Sequence, residues 1–392
     1  MQKNTKKFYY LFIFLIICFA GKSQVCPTIN LEQAFENAKE LSLSDFVKDI
    51  EYVVLKMDGA PIELRVLREM KVYASGNTLI CIGRGQVYLF DRRTGEFILE
   101  INEYEWNQTR SQVYFDSKTQ RIITYNAKAQ LSEYDLSGNI VRNIVAPPLP
   151  SLPAAKLTMN LLCNQIFLDE NTLAYYRNAG VDNVKERLLI SDVNGNLLNS
   201  IKNYNTYTPA KTAAWYSTPS LFYHYGGNTF FFENAVDTVF RVSKNDFTPR
   251  YHLRSGKFQM PYLPDGDDNY FQFKNIGETD QFLFFEFITR EIITSPRMKY
   301  FGYYNKKSEI VKIADADSNN GKLLVNDVDM FPAVQLNGWT INTEQNEMIS
   351  CIEANELAEW IKNNPKKLPE HLKRMSSLKT NNPLVVVIAK LK

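Results

Sequence analysis

The 392-residue sequence contains little of what most enzymes use. Histidine occurs three times, at His224, His252 and His371. There is no P-loop, no His-Glu-x-x-His segment, no Cys-x-x-Cys pair and no Gly-x-Ser-x-Gly nucleophile elbow. His224 and His252 lie in strand-like segments, where a structural role is the more common one. The sequence therefore identifies no reaction.

An excess of charge of one sign is also lacking. The chain has 45 lysines and arginines against 43 aspartates and glutamates, and residues 1–23 contain four of the lysines and no acid. The remainder is thus close to neutral, with 41 basic and 43 acidic residues. A protein that binds nucleic acid needs clustered basic charge to neutralise phosphates. The one basic concentration, residues 362–379, reads better as a solvated helix face, so we expect no nucleic-acid partner.

Long hydrophobic runs are absent except at the start, where residues 8–20 are apolar, follow three lysines and precede small residues. This pattern predicts a signal peptide over residues 1–23, cleaved before Gln24. The run is too short to span a bilayer. An alternative is a lipid anchor on Cys18, although Ile17 stands where a small residue is expected. We expect export to the periplasm or the cell surface, with no transmembrane segment after processing.

Cysteine is sparse. Four remain after processing, Cys26, Cys81, Cys163 and Cys351, and their spacing matches no metal-binding framework. Cys81 and Cys163 lie in apolar strand-like segments, where a free thiol behaves as a small apolar side chain. Export permits disulfides, and a bridge between Cys26 and Cys351 would fasten the two chain ends. The disulfide state stays open at this point.

What the sequence has in quantity is one repeated hairpin: an apolar strand, a polar turn and a second strand. Five variants recur at intervals of 44 to 63 residues. Repeats of this length built from strand signals indicate a β-propeller. The five variants span residues 86–101, 130–144, 187–201, 237–253 and 299–313.

Each hairpin belongs to a unit of four short strands, which predicts five blades. A sixth blade would be composite, with residues 323–328 and 331–336 first, 339–354 next and 384–392 as its last strand. Residues 49–57 form a lone strand near the other terminus, and pairing it with the last strand would close the ring and remove exposed edges. We predict an all-β, six-bladed propeller of four-stranded antiparallel blades that occupies residues 24–392 as one domain.

Two peripheral helices are predicted beside the blades. The first covers Leu31 to Leu41 and the second covers Asn355 to Asn364, with Asn355 as N-cap and Pro365 beyond the end.

Three segments support a family resemblance: SLSDFVKDIEYVVLKM near the N-terminus, DTVFRV in the centre and NPLVVVIAKL at the C-terminus. With these segments the chain resembles the six-bladed β-propeller proteins of unknown function that Bacteroidetes encode in many copies. The resemblance implies an exported six-bladed ring and no reaction. Such proteins often carry a Gly-Pro-Gly-Glu-Tyr type segment after the first blade, whereas this chain has residues 102–112 of different sequence there, so the ligand can differ.

Propellers generally bind partners at one end of the central channel, through loops that join an outer strand to the next blade's inner strand. Aromatic side chains in such loops offer flat apolar surfaces with a polar edge, which suit sugar rings and peptide side chains. We therefore predict a non-catalytic recognition module for a glycan, peptide or protein. The candidate binding residues are Tyr104, Trp106, Arg110, Trp215, Tyr216 and Tyr262.

A metal-based function is the alternative. Asp265, Asp267 and Asp268 supply oxygen ligands that could hold Ca²⁺, although the loop lacks the glutamate of an EF-hand and a solvated turn is the simpler interpretation. A metal-dependent hydrolase or lyase could also place its site in the central channel. The segment from Glu233 to Asp237 would then be one contributor of ligands.

Overall fold

The structure is a computed structural model that describes most of the chain after residue 25. The described residues are 26–56, 70–83, 85–101, 112–125, 131–148, 162–177, 185–203, 220–261, 269–289, 299–314, 324–329, 338–364 and 384–392.

The segment before the first blade contains three strands and two short helices. The strands are β1 (Thr28–Asn30), β2 (Leu41–Ser42) and β3 (Val47–Val54). Helix α1 (Leu31–Glu36) follows β1, and a 3₁₀ turn (Leu43–Asp45) follows β2.

Five consecutive blades come next, each an antiparallel sheet whose four strands pair in chain order. Blade 1 contains β4 (Lys71–Ser75), β5 (Thr78–Gly83), β6 (Gln86–Asp91) and β7 (Phe97–Ile101). Blade 2 contains β8 (Gln112–Asp116), β9 (Arg121–Tyr125), β10 (Leu131–Tyr134) and β11 (Ile140–Ile144). Blade 3 contains β12 (Leu162–Asp169), β13 (Thr172–Arg177), β14 (Glu186–Asp192) and β15 (Leu197–Lys202).

Blade 4 contains β16 (Ser220–Tyr225), β17 (Asn228–Glu233), β18 (Thr238–Val242) and β19 (Phe247–Arg254), and a 3₁₀ turn (Gly256–Phe258) follows it. Its outer strand also pairs with β1, in parallel. Blade 5 contains β20 (Phe271–Glu278), β21 (Phe282–Thr289), β22 (Lys299–Asn305) and β23 (Ile310–Ile313).

The last blade joins the two ends of the chain. After β24 (Leu324–Val325), blade 6 is built from β25 (Thr340–Asn342), β26 (Glu347–Glu353), β27 (Leu384–Leu391) and finally β3. Strand β27 pairs with β3 in antiparallel register, with Val387 opposite Tyr52. The predicted ring closure by N- and C-terminal strands is therefore confirmed, as is the six-bladed fold.

Local side-chain chemistry forms the hairpin turns that the sequence repeats. In blade 2, the Asp135 carboxylate accepts hydrogen bonds from the backbone N–H groups of Ser137 and Asn139, and Gly138 adopts a φ of +82°. Blade 3 repeats this arrangement with Asp192 and with Gly195 at a φ of +83°. Aspartate side chains that mimic a backbone turn and glycines with positive φ are the expected devices for such tight turns.

Six separate hydrophobic clusters fill the six interfaces between neighbouring blades. Successive side chains of a strand point to opposite faces, so Phe167 packs toward blade 2 while Ile166 and Leu168 pack toward blade 4. The interface of blade 6 with blade 1 contains Val386 and Leu79 and is as apolar as the others. The ring is thus continuous, and each blade is covered on both faces.

Three predictions about the segments outside the regular blades are wrong. Residues 323–328 do not begin blade 6, because β24 pairs in parallel with β2 in a separate two-stranded sheet. Helix α1 ends at Glu36, well before Leu41, because Lys39 then bridges to Ala314. The second helix, α2 (Ala354–Asn363), has its N-cap at Glu353 instead of Asn355.

The proposed bridge between Cys26 and Cys351 is also wrong. Cys26 precedes β1 on the outer edge of blade 4, beside Arg250 and Asp237, whereas Cys351 lies on β26 in blade 6. The two cysteines therefore sit in different parts of the ring.

Candidate functional site in the central channel

The first strand of every blade lines a common central channel, which encloses a cavity of about 230 Å³. Its wall is half polar and half aromatic or aliphatic, as a result of the alternation of side chains along six short strands. Representative wall residues, in blade order, are Tyr73, Asp116, Gln165, His224, Glu278 and Trp339.

Asp116 occupies one end of the channel wall and is almost completely buried. Its Oδ1 accepts hydrogen bonds from the backbone N–H groups of Lys118 and Thr119 and from the Thr119 hydroxyl, at 2.9 to 3.1 Å. Its Oδ2 lies 3.0 Å from Nε2 of His224 in blade 4 and 3.4 Å from the backbone nitrogen of Phe167 in blade 3. One carboxylate therefore connects three blades.

Electrostatics keep the Asp116 carboxylate ionised. Burial acts to raise its pKa, but the hydrogen bond and charge of His224 and the donors of Thr119 outweigh burial and hold the pKa below its ordinary value. The other ring nitrogen of His224, Nδ1, lies 3.1 Å from the Thr229 hydroxyl. The expectation of a structural histidine agrees with these contacts.

Glu278 lies at the end of β20 and is completely buried between blades 4 and 5. Its carboxylate accepts hydrogen bonds from the hydroxyls of Tyr223, at 3.0 Å, and Tyr251, at 2.7 Å. Lys306 and Arg250 approach it at 2.6 and 3.1 Å. Burial, together with the nearby Glu278 charge, raises the pKa of Tyr223 well above its usual range, so this hydroxyl remains a donor.

Two asparagines connect inner strands of neighbouring blades across the channel wall. The Asn164 amide donates to the carbonyl of Ser220, at 3.0 Å, and its oxygen accepts from the backbone nitrogen of Gln165. Asn275 is placed in the same way against Trp339. Both asparagines sit where the strand register shifts, as expected for a bulge that re-aims a side chain.

Gln165 differs from these wall residues. It is 4% exposed and lines the cavity, yet its side-chain amide has no hydrogen-bond partner among the described residues. Buried amides are normally satisfied, because a missing partner costs free energy. An unpaired amide that faces a cavity is available to a ligand or to water.

Glu286 lies one strand behind the wall, opposite Asn275 on β21, and is 7% exposed. Burial raises its pKa, although the positive charges of Lys299 and Lys71 act in the other direction. The environment of this carboxyl therefore favours its protonated form.

The structure does not describe the binding and metal-ligating residues that the sequence predicts. Tyr104, Trp106, Arg110, Trp215, Tyr216, Tyr262, Asp265, Asp267 and Asp268 all lie outside the described residues. They belong to the segments that follow the outer strands of blades 1, 3 and 4 and precede the inner strands of the next blades. Their roles remain predictions.

The residues considered for a metal in the channel have other partners. Glu233 accepts from the Tyr176 hydroxyl and pairs with Arg187 at 3.1 Å, and Asp237 lies 2.6 Å from the ring of His252. Asn234 binds the backbone of Phe273 in blade 5. Across the described part of the chain, no three histidine, cysteine, aspartate or glutamate side chains are grouped so that they could hold a metal ion.

Sequence reasoning missed the Asp116 to His224 contact and the unpaired Gln165 amide. Asp116 begins an Asp-x-x-Thr turn like that of Asp91 in blade 1, so its local sequence predicts only a turn. The partner histidine lies 108 positions further along the chain, and no local pattern indicates that contact.

Fold and channel together define a closed six-bladed β-propeller. The chain belongs to the family described as Domain of unknown function (DUF4934), which matches residues 26–390. A search of curated proteins finds no match. None of the described helices is long and apolar enough to cross a membrane.

One solved structure supports the same fold. A Bacteroides fragilis NCTC 9343 protein inferred to be exported is 13% identical, with a TM-score of 0.61 over 91% of this chain and 99% of that chain. BamB from Moraxella catarrhalis is 9% identical, with a TM-score of 0.36 over 82% of this chain and 84% of that one. The C-terminal WD40 domain of Sif2 is 8% identical, with a TM-score of 0.36 over 82% of this chain and 81% of that one.

Proposed function

We propose that the protein is an exported, non-catalytic recognition module that binds a glycan, peptide or protein partner at the central channel. The observation that carries the proposal is the contrast between the wall residues. The carboxylates of Asp116 and Glu278 are saturated by internal donors, whereas the Gln165 amide lines the cavity and has no hydrogen-bond partner among the described residues. A wall of this kind offers hydrogen bonding to a ligand without offering a free general base.

A hydrolase would need a carboxylate or histidine able to exchange protons with a substrate. Asp116 and His224 are bound to each other, and using either one would break the contact that joins blades 2 and 4. Glu278 would have to release two tyrosines and two cations. These costs favour binding over chemistry at the described wall.

The aromatic loops extend the proposed site. Trp106 and Trp215 lie in connections from an outer to an inner strand, as do Tyr104, Arg110, Tyr216 and Tyr262. By topology these connections start at the same end of the ring, where they would surround the channel mouth. The proposed ligand would stack on the aromatic side chains and reach Gln165 with a polar group.

The test is a binding screen of the mature protein, residues 24–392, on glycan and peptide arrays. Binders are then titrated by calorimetry against Gln165→Leu, which keeps the volume and removes the amide. Loss of one hydrogen bond should weaken binding about tenfold. Gln281→Leu, at an exposed glutamine in blade 5, is the matched control and should change nothing. The opposite result would be chemical turnover of a bound compound that stops when a metal chelator is added. That result would support the metal-dependent hydrolase or lyase and contradict the proposal.

A further inference from the structure

Two cysteines share the interface at which the last blade meets the first. Cys81 lies on β5 in blade 1 and Cys351 lies on β26 in blade 6. Cys81 is completely buried in the hydrophobic cluster that fills this interface, and Cys351 packs against the same cluster. Neither is bonded to another cysteine.

Strand register brings both thiols to one face of β4. Cys81 is directly opposite Val72, and residues directly opposite in antiparallel strands point to the same side of the sheet. The Cys351 sulfur lies 3.8 Å from the carbonyl oxygen of Met70, two positions before Val72. Met70 and Val72 both belong to the shared cluster. The two thiols therefore approach the same short stretch, residues 70–72, Cys81 from within blade 1 and Cys351 from the neighbouring blade 6.

The environment of the thiols determines when they could react. Burial raises the pKa of Cys351 to about 12, and burial with the nearby Cys351 raises the pKa of Cys81. The thiolate is the reactive form, so both groups are inert once the interface has closed. Oxidation must then occur while the chain folds, before blade 6 covers blade 1.

We propose that Cys81 and Cys351 form a disulfide across the interface of blades 1 and 6 when the chain folds in an oxidising compartment. One S–S bond forms, and both thiols lose their hydrogens. The two electrons and two protons pass to the disulfide of an oxidant, such as a thiol–disulfide oxidoreductase or oxidised glutathione, which becomes two thiols. The inference rests on the proposed export, because a reducing cytosol would keep both thiols free.

The bond would strengthen the ring where its first and last blades meet. Neighbouring blades contact through side chains, and here a covalent link would be added to that packing. It would close a loop of about 270 residues, and long loops give the largest stabilisation in the chain-entropy description.

The test is oxidative refolding of residues 24–392 from the reduced, denatured state in a glutathione redox buffer. Alkylation, proteolysis without reductant and mass spectrometry then identify any linked peptides. We expect one peptide that joins Cys81 to Cys351 and disappears on reduction. We also expect an oxidised protein that melts higher than the reduced one, on the order of 5 °C.

Three variants separate the proposal from unrelated effects. Cys26→Ser should retain the linked peptide and the reductant-dependent melting shift, whereas Cys81→Ala and Cys351→Ala should lose both. If an alanine variant fails to fold, the wild-type peptide map still decides. Four free thiols after oxidative refolding, or a bridge between another pair, would overturn the proposal. Because this assay needs no ligand, its failure is distinct from failure of the proposed binding function.

Discussion

The Nε2 atom of His224 lies 3.0 Å from Oδ2 of Asp116, although these residues belong to blades 4 and 2, which are not neighbours in the ring. The contact passes across the end of blade 3, whose Phe167 nitrogen also faces the same carboxylate. Lys118, two residues after Asp116, reaches the carbonyls of Leu168 and Gly227 in blades 3 and 4. One turn of blade 2 thus fixes three inner strands relative to one another.

Asp116→Asn should destabilise the fold by roughly 3 kcal/mol, because it replaces a buried carboxylate that accepts hydrogen bonds from Thr119 and His224 with a neutral amide. Asp91→Asn is the matched control, since Asp91 begins the same type of turn but is only half-buried, and its second carboxylate oxygen contacts Asn77 in place of a histidine. Its effect should be much smaller. Chemical denaturation of both variants at pH 7 measures the difference. Equal losses would show that the turn alone, without His224, accounts for the role of Asp116.

The stabilisation by Asp116 should depend on pH in a defined direction. The pKa of Asp116 is lowered in the fold, so its contribution is present above the unfolded value of about 3.9 and is lost as the pH falls through the folded value. Wild type and Asp116→Asn should therefore converge in stability under acid conditions. A gap that stays constant from pH 7 to below pH 3 would rule out this linkage.

Glu278→Gln should destabilise the fold by about 3 to 5 kcal/mol. The substitution removes the negative charge beside Lys306, whose buried positive charge then lacks its ion-pair partner. The double variant Glu278→Gln with Lys306→Met should recover part of the loss, since both members of the pair are then neutral. Removal of the exposed pair of Lys56 and Glu96 should cost less than about 1 kcal/mol. Thermal unfolding of the four proteins provides the measurement, and no recovery in the double variant would contradict the pairing.

Glu286→Gln should stabilise the fold at pH 8. The pKa of Glu286 is raised by burial, so its favourable contribution exists below the unfolded pKa of about 4.3 and is lost as the pH rises through the folded value. Glutamine mimics the protonated form at all pH values. The variant should therefore melt higher than wild type at pH 8 and equal to it near pH 4, while Glu344→Gln, at an exposed glutamate, should show no such dependence.

Deletion of Leu384–Lys392 should prevent folding of the whole ring, because it removes β27, the strand between β26 and β3. Strands β26 and β3, which flank β27, would then expose unpaired edges, and the completely buried Val386 and Ile388 would be lost. Deletion of Cys26–Asn30 removes only β1, a peripheral strand on blade 4, and should preserve a cooperative transition. Circular dichroism melting compares the two truncations. A β27 deletion that melts like the full chain would contradict ring closure.

The blades were predictable from the sequence because the residues that form each hairpin are close together along the chain. An aspartate, a glycine and flanking apolar strands lie within one hairpin, as in residues 131–144, and such turns form without distant partners. The lone strand β3 was predictable too, because an unpaired edge near one terminus needs a partner and the other terminus offered one.

The remaining features depend on distant contacts. Strand β24 pairs with β2, and Asp327 accepts hydrogen bonds from the Ser44 nitrogen and hydroxyl, 283 positions away. The composition of the channel wall could not be predicted from the sequence either. Asp116, Gln165 and His224 line one cavity only after three blades have folded side by side. A local pattern cannot report such long-range contacts.

Recognition by loops at one end of the channel is tested most directly by three tryptophan variants measured side by side. Trp339 is 1% exposed and packs edge-on against Phe284 and Phe301, so Trp339→Ala should cost about 3 to 5 kcal/mol and lower the melting temperature by several degrees. Trp106→Ala and Trp215→Ala should leave the melting temperature nearly unchanged while weakening the ligand identified on the arrays. If Trp106→Ala and Trp215→Ala instead lower the melting temperature as much as Trp339→Ala does, the two tryptophans are core residues. The assignment of the recognition site to these loops is then wrong.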